Sequence, residues 1–205
     1  MEIKTIKAKF MRGLMDQNTY VVSDGKNSII IDAGANIEDI VEHTKNTKVL
    51  AVLLTHLHFD HFWNLECYLE CFDTSVYIQE GFENKFENCE LNGSMLVRQN
   101  IQKNISKKRI KYYAKNFKLE IFDVEVFSTP GHSADSVCVL IENKLFTGDT
   151  IFSDCIGRID LKDSSKESMI ESLEKIKTID FSVALPGHYE SATKEQIINT
   201  ISFYL

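Results

Sequence analysis

The segment HLHFDH, residues 56–61, puts three histidines and an aspartate within six positions. Three further residues of the same chemistry follow at a distance: His132 in TPGHS, Asp149 in TGDT and His188 in LPGHY. Five of the chain's six histidines are used in this way, which is hard to reconcile with scattered surface imidazoles. Imidazole and carboxylate together suit divalent cations of the zinc, iron or manganese range. In extended backbone successive side chains alternate, so His56, His58 and Asp60 can point one way, and a turn after Asp60 is needed to bring His61 round. One grouping sets His56, His58 and His132 around a first ion and Asp60, His61 and His188 around a second, with Asp149 shared between them. Two such ions sit about 3.5–4 Å apart in two-metal hydrolases. They would acidify a bridging water toward a pKa of about 7, with Asp60 orienting it and accepting its proton. A hydroxide formed in this way requires no serine or cysteine nucleophile.

Such a site needs strands that end where the ligands begin. The only two prolines, Pro130 and Pro186, both stand directly before Gly-His. Proline stops a strand from pairing further and fixes φ, and the glycine allows a sharp path, so each histidine is lifted off a strand end. Apolar runs predict strands at 3–10, 19–24, 28–32, 49–54, 75–78, 119–127, 136–141, 144–147 and 181–185. Helices are expected at 37–45, at 165–177 with Met169, Ile170, Leu173 and Ile176 on one face behind a Ser165 cap, and in the closing KEQIINTISFYL. The polar segment 80–116 reads as short helices inserted between two strands, its basic run 103–115 as a solvated helix face. With no linker or repeat, one domain over 1–205 is expected.

HLHFDH, TPGHS, TGDT and LPGHY together resemble the motif set of the metallo-β-lactamase-fold superfamily, over about Ile30 to Tyr189. The resemblance implies an α/β fold, a four-layer αββα sandwich of two similar halves with metal-bearing loops along one rim of the paired sheets. It also implies metal ligation by His56, His58, Asp60, His61, His132, Asp149 and His188. IIIDAGA, residues 29–35, is similar to the superfamily's first motif, whose aspartate, here Asp32, supports the ligand loop from behind.

Within the superfamily, secreted class B β-lactamases carry a cysteine ligand where this chain has Asp149, which argues against antibiotic degradation. Flavodiiron proteins put glutamate at the middle histidine and append a flavodoxin domain, and RNA-processing members add a domain or a basic arm. LFTGDTIFSDCIGRID is similar to the glyoxalase II group and its shorter relatives. That likeness implies a hydroxyacylglutathione hydrolase-like thioesterase with two divalent ions, zinc first, iron or manganese as alternatives. Persulfide dioxygenases share the segment but use one iron bound by two histidines and an aspartate, matched here more closely by His132 and Asp149 than by His56 or its neighbour. That oxidoreductase, a lactonase of the same fold and a non-catalytic metal-binding protein stay open. Glyoxalase II enzymes extend past the last histidine into a glutathione-gripping helical region, whereas 17 residues follow His188. LKDSS also stands where Pro-Gly-Gly is usual. The expected partner is therefore a small-molecule thioester or related ester.

Composition fits this picture. A formal charge of -7 disfavours nucleic-acid binding, no stretch reaches the ~18 apolar residues of a membrane helix, and oligomeric state is left open. MEIKTIKAKFMRGL has no unbroken apolar run of a leader, and five irregular cysteines argue for reduced thiols, so a cytoplasmic location is expected. Cys67 and Cys71 read as core residues on one helix, and Cys155 as a residue bordering the site. His43 reads as a favourable helix-end charge, and Arg158 either anchors a substrate carboxylate or pairs with Asp160. Phe59, Trp63, Phe152 and Tyr189 adjoin the ligand loops and are candidates for pocket walls as well as core.

Overall fold

Alternating apolar and charged residues in EIKTIKAKF make strand β1 (Glu2–Phe10), whose Ile6, Ala8 and Phe10 are buried while Lys7 and Lys9 are exposed. In the computed structural model of the chain, residues 1–10 and 15–205 are described. Residues 11–14, which end the stretch read above for a leader, lie outside them. Two compact units divide the chain, Met1–Tyr113 and Ala114–Leu205.

The first unit contains one six-stranded sheet, ordered β1, β2 (Met15–Ser23), β3 (Asn27–Ile31), β4 (Lys48–Leu53), β5 (Val76–Ile78) and β6 (Ile110–Tyr112). β1, β2 and β3 pair antiparallel, and β3 through β6 pair parallel. Ile29, Ile30 and Ile31 of β3 and Ala51, Val52 and Leu53 of β4 are fully buried, as central parallel strands require. Helices α1 (Ile37–Thr44) and α2 (Leu65–Cys71) contribute Ile40, Leu65, Tyr68 and Leu69 to an apolar cluster with Ile6, Val21, Ile30 and Val52. Each such side chain contributes about 1.5–3 kcal/mol on leaving water. The Tyr68 hydroxyl, deep in this cluster, donates to the Ala35 carbonyl at 2.6 Å, and burial pushes the phenol far above its ordinary range.

The second unit contains a sheet ordered β12 (Ala192–Thr193), β11 (Val183–Pro186), β10 (Lys144–Gly148), β9 (Val137–Ile141), β8 (Phe122–Ser128) and β7 (Asn116–Leu119). All its pairings are antiparallel except β10 with β11. Helix α3 (Lys166–Thr178) starts at Ser165, whose hydroxyl accepts from the Ser168 amide at 3.2 Å. Helix α4 (Lys194–Tyr204) starts on a reciprocal pair in which Gln196 N–H donates to Thr193 Oγ1 and Thr193 N–H donates to Gln196 Oε1. Met169, Leu173, Ile176, Ile197 and Ile201 of these helices form the second core with Cys138, Leu145 and Ala184.

Two mixed sheets and four helices among the described residues bear out the α/β class. Several local expectations need correction. The strand expected at 119–127 is a hairpin, β7 and β8, turned at Glu120, which adopts a left-handed φ of 54°. Ile170 is 39% exposed, and the polar Ser172 takes the buried position because its hydroxyl donates to the Pro130 carbonyl at 2.7 Å. Cys67 and Cys71 are exposed, since α2 turns Leu65, Tyr68 and Leu69 inward instead. In 80–116 two short 3-10 turns, Glu83–Phe86 and Ser94–Val97, are joined by the unexpected β6, and the basic run is strand and turn, not helix. No helix among the described residues is long and apolar enough to cross a membrane.

Candidate metal centre

In the first unit β4 ends at Leu53 and the chain runs extended to His58 before a 3-10 turn, Phe59–His61. The turn thus begins at Phe59, ahead of Asp60, rather than after it as the alternation rule predicts. His56, His58, Asp60 and His61 are all buried. His56 Nε2 lies 3.0 Å from His58 Nδ1, and the His56 ring is 4.1 Å from that of His61. Asp32 braces this loop: it accepts from the Thr55 amide at 2.8 Å, from the Thr55 hydroxyl, and from His61 Nδ1 at 2.8 Å. Its φ of 60° is left-handed, a region aspartate tolerates better than most residues. With Nδ1–H given to Asp32, the neutral His61 ring carries its lone pair on Nε2, which faces Asp60 Oδ2 at 3.8 Å.

In the second unit His132, Asp149 and His188 converge from the ends of β8, β10 and β11. Asp149 Oδ2 lies 3.6 Å from His132 Nε2 and 3.2 Å from His188 Nε2. His132 Nδ1 donates to the Arg158 carbonyl at 3.0 Å, which leaves the lone pair of a neutral ring on Nε2. In both units, then, imidazole lone pairs are set against a carboxylate, acceptor against acceptor, an arrangement that a cation reconciles. All seven residues belong to His/Asp groups able to hold a metal ion. Nitrogen and oxygen donors without sulfur fit zinc, iron or manganese. Among the described residues no cysteine joins these groups, and burial pushes the Cys138 thiol up to about 11 and raises Cys155 as well.

The Pro-Gly-His loops are held by their surroundings as much as by proline. Pro186 closes β11, and Gly187 N–H donates to the Gly148 carbonyl at 2.8 Å. Gly131 adopts a φ of 145°, and a Cβ there would lie 2.5 Å from Met169 Cα, so the His132 loop sits directly on the first turn of α3. Ser165 N–H completes the junction by donating to the Gly131 carbonyl at 2.9 Å.

Sequence reasoning missed three positioning groups. Gly157 lies so close that a Cβ would collide with the Asp149 carbonyl and come within 3.0 Å of His132 Nδ1. The Arg158 carbonyl orients His132, while its guanidinium pairs with Asp160 at 2.9 and 3.0 Å, the internal pairing being the one observed. Thr55 couples Asp32 to the strand end; its position immediately before His56 was the available signal. Of the aromatics, Phe152 packs 5.1 Å from Tyr189 and 6.3 Å from the His188 ring. Phe59 and Trp63 join Phe10 in the first unit. His43 stands in the last turn of α1, as its dipole argument requires.

Comparison with known proteins follows the same lines. The family model of the metallo-beta-lactamase superfamily matches residues 12–188. The probable metallo-hydrolase YqgX of Bacillus subtilis is 32% identical over 185 residues, 86% of each chain. The probable polyketide biosynthesis zinc-dependent hydrolase BaeB of Bacillus velezensis is 27% identical over 82% of this chain and 68% of its own. Among solved structures, the BLEG-1 B3 metallo-beta-lactamase is similar with a TM-score of 0.88 and 27% identity, covering 99% of both chains.

Proposed function

We propose, because this chain belongs to the metallo-beta-lactamase superfamily, that it hydrolyses a small-molecule thioester or related ester, lactones included. In this reading one domain spanning 1–205 holds two divalent ions, zinc in the resting protein, through His56, His58, Asp60, His61, His132, Asp149 and His188. The supporting observation is the Asp149 carboxylate oxygen facing two imidazole nitrogens, at 3.6 and 3.2 Å, with His132 locked by a carbonyl behind it. The zinc dependence of BaeB favours zinc, and the absence of sulfur from the donor set keeps iron and manganese as alternatives.

Bound ions of this kind supply Lewis acidity, which lowers the pKa of water at the site and polarises an acyl oxygen. The chain's own residues do the rest. Asp32 and the Arg158 carbonyl fix the ring orientations of His61 and His132. Asp60 orients the attacking water and takes its proton as the new C–O bond forms. The C–S or C–O bond of the ester then breaks, and the proton leaves with the thiolate or alkoxide. One ester and one water give one carboxylic acid and one thiol or alcohol.

The test is a single panel on the purified protein: acetyl and phenylacetyl thioesters, a lactone, a β-lactam, and oxygen consumption with glutathione persulfide. Chelator-sensitive thioester or lactone turnover is the expected result. Oxygen uptake with one iron per chain would replace the hydrolase with a dioxygenase, and β-lactam turnover alone would move the assignment toward the BLEG-1 likeness.

A further inference from the structure

Beside the HLHFDH turn, within the first unit, lies a cleft of about 410 Å³. Its volume falls in the ~300–1,000 Å³ range of small-molecule sites. The floor is aromatic: Phe10 meets Trp63 and Phe59 at ring separations of 5.3 and 6.3 Å, and Phe59 meets Trp63 at 6.1 Å, all edge to face. Lys7 and Lys9 of β1 and Asp39 of α1 line it with opposite charges, and Asn36 adds a neutral amide. A mixed rim over an aromatic floor favours an uncharged apolar group.

The cleft shares its backbone with the ligand loop. Phe59 stands between His58 and Asp60. The facing wall around Gly34 and Asn36 is tied to the same loop, because Ala33 N–H donates to the His61 carbonyl at 2.7 Å. Asn64 adds three bonds: its N–H to Ala33 O at 2.8 Å, and its side-chain amide to Gly34 O and Ala35 O at 2.8 and 2.9 Å. The walls of the cleft are therefore tied through the backbone to the loop that carries His58 and Asp60.

We infer that this cleft, resting on the hydrolase reading above, receives the acyl side of the substrate, and that the acyl group it selects is an uncharged aryl or branched alkyl group. Edge-to-face contact with Trp63 and Phe59 supplies the selectivity, and the cleft does not require the metals for binding.

Trp63 is the only tryptophan of the chain, so intrinsic tryptophan fluorescence reports on the cleft alone. The wild-type protein is titrated with phenylacetamide and with acetamide, both uncharged, before and after chelator treatment. A saturable fluorescence change with phenylacetamide in both metal states, and none with acetamide, is expected. The phenylacetyl thioester should exceed the acetyl thioester in kcat/KM by about tenfold or more, and Trp63→Ala should bring that ratio near parity. No response of Trp63 to phenylacetamide, or a preference untouched in Trp63→Ala, overturns the inference, and the first readout needs no variant to fold. A Trp63 response in a protein that turns over no thioester upholds the aryl site and sinks only the hydrolase reading.

Discussion

The Asp32 carboxylate stands 2.8 Å from His61 Nδ1 while its other oxygen accepts the Thr55 amide at 2.8 Å. One side chain thus joins the end of β3 to both ends of the HLHFDH loop. Three donors depend on it, all buried, so its removal strands them in an environment where each unmet partner costs about 1–3 kcal/mol. Asp32→Ala is expected to lower stability by at least ~2 kcal/mol in urea unfolding. Asp32→Asn keeps the left-handed backbone accessible and an acceptor in place, so it should fold, yet bind zinc about 10–100-fold more weakly in a chelator competition.

Asp149→Ala removes the oxygen that faces His132 and His188. Far-ultraviolet circular dichroism should be unchanged, while metal content and turnover fall to background. Full activity in this variant would refute the shared role of Asp149.

Gly157→Ala places a methyl group against the Asp149 backbone carbonyl, which cannot swing aside as a flexible side-chain end could. Overpacking of this kind costs about 1–3 kcal/mol. Thermal unfolding should show that loss together with weaker metal binding, because the shift passes to both Asp149 and His132.

Ser165→Ala deletes the α3 cap and should cost about 1 kcal/mol. The junction with the Gly131 carbonyl uses the Ser165 backbone amide and survives the substitution, so metal stoichiometry should be retained. A melting temperature equal to that of the wild type would show that the cap contributes nothing.

The Arg158 guanidinium holds the Asp160 carboxyl below the ordinary carboxylate range, chiefly through their hydrogen bonds. A depressed carboxyl stabilises the fold above its unfolded pKa, and that contribution disappears as pH falls through the lowered folded value. The pair is solvent-exposed, so the effect on stability is small. Arg158→Ala should move the Asp160 titration, followed by carboxyl NMR, upward toward the ordinary carboxylate range. His132 should keep its orientation in the variant, because the backbone carbonyl is the group it uses.

Much of this was legible in the chain because local and tertiary signals agree. The continuous apolar runs III at 29–31 and VCVLI at 137–141 could only be buried strands, and PGH occurring twice marked two loops of one design. Asp32 was readable as a brace because its strand-end position precedes the Ala-Gly turn. Several failures share a cause, in that the deciding contact is distant in sequence. Ser172 displaces Ile170 from the interior through a carbonyl 42 residues away. β6 is only three residues long and exists by pairing with β5, across more than thirty intervening positions that carry no period of their own. Gly157 and the Arg158 carbonyl act through the backbone, where residue type gives no warning.

The most direct test is the metal content of the purified wild-type protein by inductively coupled plasma mass spectrometry, normalised to chain concentration. Two divalent ions per chain, zinc in the resting protein, are predicted. One ion or none after reconstitution with zinc would contradict the proposed seven-ligand centre and the hydrolytic chemistry built on it.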